Sequence, residues 1–141
     1  MIKAVIHIKA VQRADGNEDV LKMTSVGSFE KTDKGWQIDY IEIDEDNTET
    51  HVTVKTEDDT VFVIRKRGGI SSVLAVQKQQ LHQCVYETEY GNLMLGIFGR
   101  KVQYSMGEQG GFVKLVYAVD INGVYSSENE ISLRIKSKEE K

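Results

Sequence analysis

The last quarter of the chain alternates apolar and polar residues with a period of two. Val113, Leu115, Tyr117, Val119 and Ile121 fall on one face, with Lys114 and Asp120 on the other. Ile131, Leu133 and Ile135 then alternate with Glu130, Ser132, Arg134 and Lys136. Successive side chains of a strand point to opposite faces, so such a run is a strand buried on one side and wet on the other. Between the two runs sits Asn122–Gly123. Both residues accept the positive φ of a type I′ hairpin turn, so the two runs should pair antiparallel.

The same rhythm runs through the rest of the chain. Ile2, Ala4, Ile6 and Ile8 share a face, Asp15–Gly16 offers a turn, and a second strand covers 20–30. Trp36, Ile38 and Tyr40 share a face after the turn at 33–35, as do Val52, Val54 and Thr56 before a turn at 57–59. Then come VFVIRKR, the break Gly68–Gly69, SSVLAVQK, CVYETEY, a turn at Gly91–Asn92, and a long stretch holding Gly96 and Gly99. Glycines inside a strand predict sharp curvature or a bulge. The count is about ten strands, the even spacing of a sandwich or barrel. No segment carries a helical period, and proline is absent, so glycine supplies the turns. Short turns favour antiparallel neighbours in a meander, and closure removes the exposed edges that so many strands would leave. The expectation is all-β: a closed up-and-down meander barrel, one domain over 1–136 with a charged tail at 137–141. With 141 residues the chain is long enough for one core without staples.

Charge narrows the function. Eighteen Lys plus Arg against 22 Asp plus Glu give a net charge of −4, which argues against a nucleic-acid binder. No apolar run approaches the ~18 residues of a membrane helix. The first residues lack the unbroken apolar core of a secretion signal, and the single Cys84 permits no internal disulfide. A cytoplasmic location is expected.

No local motif spells catalysis. The acidic run 44–49 begins like a calcium loop, but Glu49 and Lys55 stand where Gly and a bidentate Glu belong. His7, His51 and His82 form no metal-ligand spacing. His82 and Cys84 share a strand face, but i and i+2 side chains stand about 7 Å apart, too far for a thiolate pair. No metal, cofactor or catalytic residue is expected, and enzyme activity is disfavoured.

From Arg67 onward the text resembles a known family. Arg67–Gly68, the segment from Tyr86 to Gly91, Gly110–Gly111, Tyr117 and Ile121-Asn122-Gly123 carry the likeness; Gly27 and Tyr40-Ile41-Glu42 extend it more loosely to the first third. The chain is similar to the YwiB-like family of small bacterial proteins of unknown function. Glu89 is a minor departure from its pattern. The resemblance implies a lipocalin-like, calycin-like barrel and no particular activity.

Function then rests on the barrel's lining. Placing Val61 and Val63 inward puts Arg67 inward too, and Glu42 shares the face of Trp36, Ile38 and Tyr40. A buried charge needs a partner, so an Arg67–Glu42 pair at the barrel mouth is expected. Tyr86, Thr88 and Tyr117 add hydroxyls. The candidate ligand-binding set is Tyr40, Glu42, Arg67, Tyr86, Thr88 and Tyr117, suited to a small amphipathic or anionic ligand. The alternative is a filled barrel acting through its outer surface, where Val5, Val11, Ile43 and Val116 could support a homodimer.

Overall fold

The computed structural model describes residues 1–43, 45–58, 60–68, 71–88 and 90–138, with Thr88 described by its backbone alone. Ten strands follow one another: β1 (Ile2–Ala14), β2 (Asn17–Thr32), β3 (Gly35–Ile43), β4 (Glu49–Asp58), β5 (Val61–Arg67), β6 (Ser72–Gln77), β7 (Leu81–Thr88), β8 (Gly91–Gly107), β9 (Gly110–Ile121) and β10 (Val124–Ser137). No helix occurs among the described residues, so none is long and apolar enough to cross a membrane.

All ten belong to one antiparallel sheet in the order β6-β5-β4-β3-β2-β1-β10-β9-β8-β7. Every strand pairs with its sequence neighbour except β6 with β7, and β1 pairs with β10 over Ala4–Arg13. The meander is therefore welded through its terminal strands, and the two free edges meet in mid-chain. Among the described residues they are sealed at one end only. Lys78 bridges Gly99, the Gln79 N–H donates to the Gly99 carbonyl at 2.8 Å, and the Gly99 N–H donates to the Gln80 carbonyl at 3.3 Å. The result is a nearly closed, calycin-like barrel with a seam between β6 and β7.

Turn chemistry follows the sequence. Asp15 and Gly16 have φ of 52° and 78°, Asn122 and Gly123 of 51° and 86°, the two positive angles of a type I′ turn. Gly91, by contrast, opens β8, and the turn lies before it. The curvature expected at Gly99 is a bulge: the β8–β9 register shifts between Gly99 and Lys101. Gly99 is required there because a Cβ would strike the Gln77 backbone carbonyl. β10 runs to Ser137, and the Lys138 N–H donates to the Lys3 carbonyl at 2.9 Å; the strand thus enters the segment expected to be tail.

The core is the inward set of the alternation. Phe29, Phe62, Ile6, Ile38, Ile64, Ile97, Leu115 and Leu133 are all fully buried. Phe62 meets Tyr104 edge to face with centroids 5.1 Å apart, a favoured aromatic geometry. Val11 corrects an expectation: placed on the outer face by its register, it is nevertheless buried, at 4% exposure.

Candidate functional site

Two pockets share Lys66 in their walls. The first is the mouth. The β2–β3 ladder runs only from Ser28 to Thr32 on β2. Beyond it β2 leaves β3, and the Ser25 hydroxyl spans the gap, donating to the Ile41 carbonyl at 3.0 Å and accepting from its N–H at 3.4 Å. Residues 17–24 of β2 stay with β1 alone. A cavity of about 310 Å³ lies under this flap, lined by Ala10, Gln12, Leu21, Lys66, Tyr117 and Asn129, among others.

The second opening is the unsealed part of the seam. A slot of about 670 Å³ separates Arg65, Lys66 and Arg67 with Ser71–Val73 on one side from His82–Val85 and Glu87 on the other. Lys66 lines both spaces. Its position follows from register: Val52 pairs with Lys66 and Val54 with Ile64, so Phe62, Ile64 and Lys66 share the inner face.

That register corrects the facing expected for β5. Val61, Val63, Arg65 and Arg67 point outward. Arg67 sits opposite His51, exposed, over a shallow outer depression that also holds Asp39 and Thr53. The inward cation is its neighbour: Lys66 Nζ lies 3.5 Å from Glu42 Oε2. The buried-pair logic finds its Glu42 but not its arginine.

Two other expected residues gather beside Glu42. Tyr40 and Tyr117 are buried, at 4% and 6% exposure. Burial pushes the Tyr117 phenol up to about 12. It raises Tyr40 further, helped by the carboxylate of Glu42 and then by Tyr117 itself, so Tyr40, Glu42 and Tyr117 share one electrostatic neighbourhood. Among the described residues no buried side-chain nitrogen or oxygen lacks a hydrogen-bond partner. Tyr86 stands on the inner face of β7, half-buried, opposite Leu93. The side chain of Thr88, and Gly69 after Arg67–Gly68, lie outside the described residues, as do Asp44 of the acidic run and the turn residue Asp59.

The sequence marks Arg65-Lys66-Arg67 as a basic cluster that could cradle an anion, but it shows neither that Lys66 is the inward member nor the seam beside it. His82 and Cys84 do share a face, but the His82 Nε2 bonds Gln77 Oε1 at 2.7 Å, and burial pushes the Cys84 thiol up, away from the thiolate a nucleophile needs. No three His, Cys, Asp or Glu side chains converge among the described residues.

The comparisons agree with this architecture. The family model described as Domain of unknown function (DUF1934) matches residues 6–133. The chain belongs to this family. A solved structure, the crystal structure of YwiB protein from Bacillus subtilis, superposes with a TM-score of 0.75 at 16% identity, covering 94% of this chain and 91% of that one. At that identity the likeness is one of fold. No curated protein matches the sequence. Membership in DUF1934 names no activity, and the fold likeness supports the architecture, which leaves the chemistry to the site.

Proposed function

We propose that the barrel binds a small amphipathic molecule whose anionic head sits at Lys66 and whose apolar part enters the mouth. The observation that carries this reading is the double position of Lys66, at the junction of slot and mouth. An ammonium donates three hydrogen bonds, and Glu42 takes one, which leaves donors for a carboxylate or phosphate. Arg65 and Arg67 on the slot rim take part in no ion pair among the described residues, so they draw an anion toward the opening. Inside, Leu21, Ala10 and Ile131 offer apolar surface beside the polar tips of Tyr117, Gln12 and Asn129, the mixture typical of ligand pockets.

Calorimetric titration with decanoate tests it. Decanoate binds the parent protein and decyltrimethylammonium does not. Lys66→Ala weakens decanoate binding about tenfold or more, the scale of a lost hydrogen bond to a charged group. Arg67→Ala, on the rim, weakens it less. No heat with decanoate, or equal affinity after Lys66→Ala, sinks the reading.

A second reading, a filled barrel working through its outer surface, is supported by how completely Phe29, Phe62 and the aliphatic set fill the interior away from the mouth. A protein that takes up no amphiphile under these conditions favours it.

A further inference from the structure

The outer face of β2-β1-β10-β9 is cationic on a chain of net negative charge. Register places Lys22 directly opposite Lys9, Lys9 opposite Ser132, and Ser132 opposite Lys114, so one row crosses four strands. In the next row Thr24, His7, Arg134 and Phe112 follow one another in the same way. These residues line an open groove of about 740 Å³. Lys136 continues the positive face opposite Val5. The carboxylate on this stretch is Glu130, which holds Lys114 at 3.0 Å. Lys9, Lys22 and Arg134 take part in no ion pair among the described residues.

Two features mark this surface as more than a solvated face. Like charges directly opposite on neighbouring strands destabilise a sheet, yet Lys9 and Lys22 occupy such a pair. And Phe112, 45% exposed, stands directly opposite Arg134 in the middle of the cations. An outward phenylalanine flanked by a guanidinium is an apolar cost in water and a stacking platform for a base.

We propose that this groove binds single-stranded nucleic acid, with phosphates along Lys22, Lys9 and Lys114 and a base stacked on Phe112 beside Arg134. The strands lie about 4.8 Å apart, so a chain laid across them meets a cation on the first, second and fourth strand. A duplex keeps its bases stacked inside and offers nothing to Phe112, whereas an unpaired strand presents its base faces. An acidic polypeptide would satisfy the lysines and leave the aromatic unused. Net charge hides such a site because most acids sit elsewhere, among them Asp15, Glu18 and Asp19 at the β1–β2 end and Glu57 and Asp58 at the β4–β5 turn, while Glu128 and Glu130 border it on β10. The groove is on the opposite face of the wall from Lys66, so it stands or falls independently of the amphiphile reading.

Fluorescence anisotropy of a short labelled single-stranded RNA tests the proposal. Binding is expected at low ionic strength and falls with added salt. Lys9→Ala/Lys22→Ala weakens it about tenfold or more and reduces the slope of log affinity against log salt by about 0.7 for each lysine removed. Phe112→Ala weakens RNA binding about fivefold or more and leaves poly-glutamate binding unchanged. The double lysine variant melts no lower than the parent, because the repulsive pair is gone. Absence of salt-dependent binding, RNA affinity that survives the double substitution or Phe112→Ala, or a preference for duplex or poly-glutamate overturns it.

Discussion

Lys66 Nζ and Glu42 Oε2 lie 3.5 Å apart across β4, with the lysine side chain 36% and the glutamate side chain 24% exposed. A pair this open to water contributes little to folding, about 0–1 kcal/mol. Lys66→Met should therefore change the unfolding free energy measured in urea by no more than that, while removing the cation from the mouth. Glu42→Gln should act in the opposite sense on binding: it frees the ammonium, and decanoate affinity rises. A loss of several kcal/mol in either variant would mean the pair is structural.

The core offers a larger effect. Phe62 is 1% exposed and packs its ring against Tyr104. Phe62→Ala removes that contact and leaves a cavity, at a cost of about 3–5 kcal/mol. Equilibrium denaturation measures it; a change below about 1 kcal/mol would show the interior to be loosely filled.

Gly99 seals the seam. A Cβ there meets the Gln77 carbonyl, so Gly99→Ala forces the strands apart, and such overpacking costs about 1–3 kcal/mol. Hydrogen exchange should accelerate at the Gln79 and Gly99 amides, whose bonds close the edge, before the β1–β10 amides respond. Gly107→Ala is the control, since nothing lies within 4 Å of its added carbon; it should change stability by less than about 0.5 kcal/mol.

The buried phenols predict an alkaline limit. A phenol raised in the folded state contributes stability that is present below its ordinary value of 10.0 and is lost as pH rises through the folded value, about 12 for Tyr117. Absorbance at 295 nm should show the exposed tyrosines ionising first and a late step that coincides with unfolding. Tyr117→Phe should shrink the late step and leave the early one; an unchanged late step would place Tyr117 in contact with water.

Much of this was legible from alternation, and the exceptions have a physical reason. In β9 and β10 polar residues mark the wet face, so Leu115, Tyr117 and Leu133 fall inward as read. In β5, Val61, Phe62, Val63 and Ile64 are all apolar, so both faces look like a core and periodicity cannot choose. Register with β4 chooses, through Val54 opposite Ile64, and that is a long-range property. The misplaced facing then carried from Val63 four residues on to Arg67 and hid Lys66. The seam was invisible for a related cause: Val73, Leu74, Ala75 and Val76 of β6 are all apolar, so nothing in the sequence marks it as an edge, and whether β6 and β7 join depends on how far the sheet has curled by then.

The weld between the first and last strands also governs how the molecule can breathe. A ring cut on one side and continuous on the other can be sprung like a split washer, widening at the cut while each hydrogen-bonded ladder stays whole. For this protein the cut lies beside Arg65, Lys66 and Arg67. A guest wider than the resting gap could therefore enter sideways, between two flexing halves, without any part of the chain unravelling.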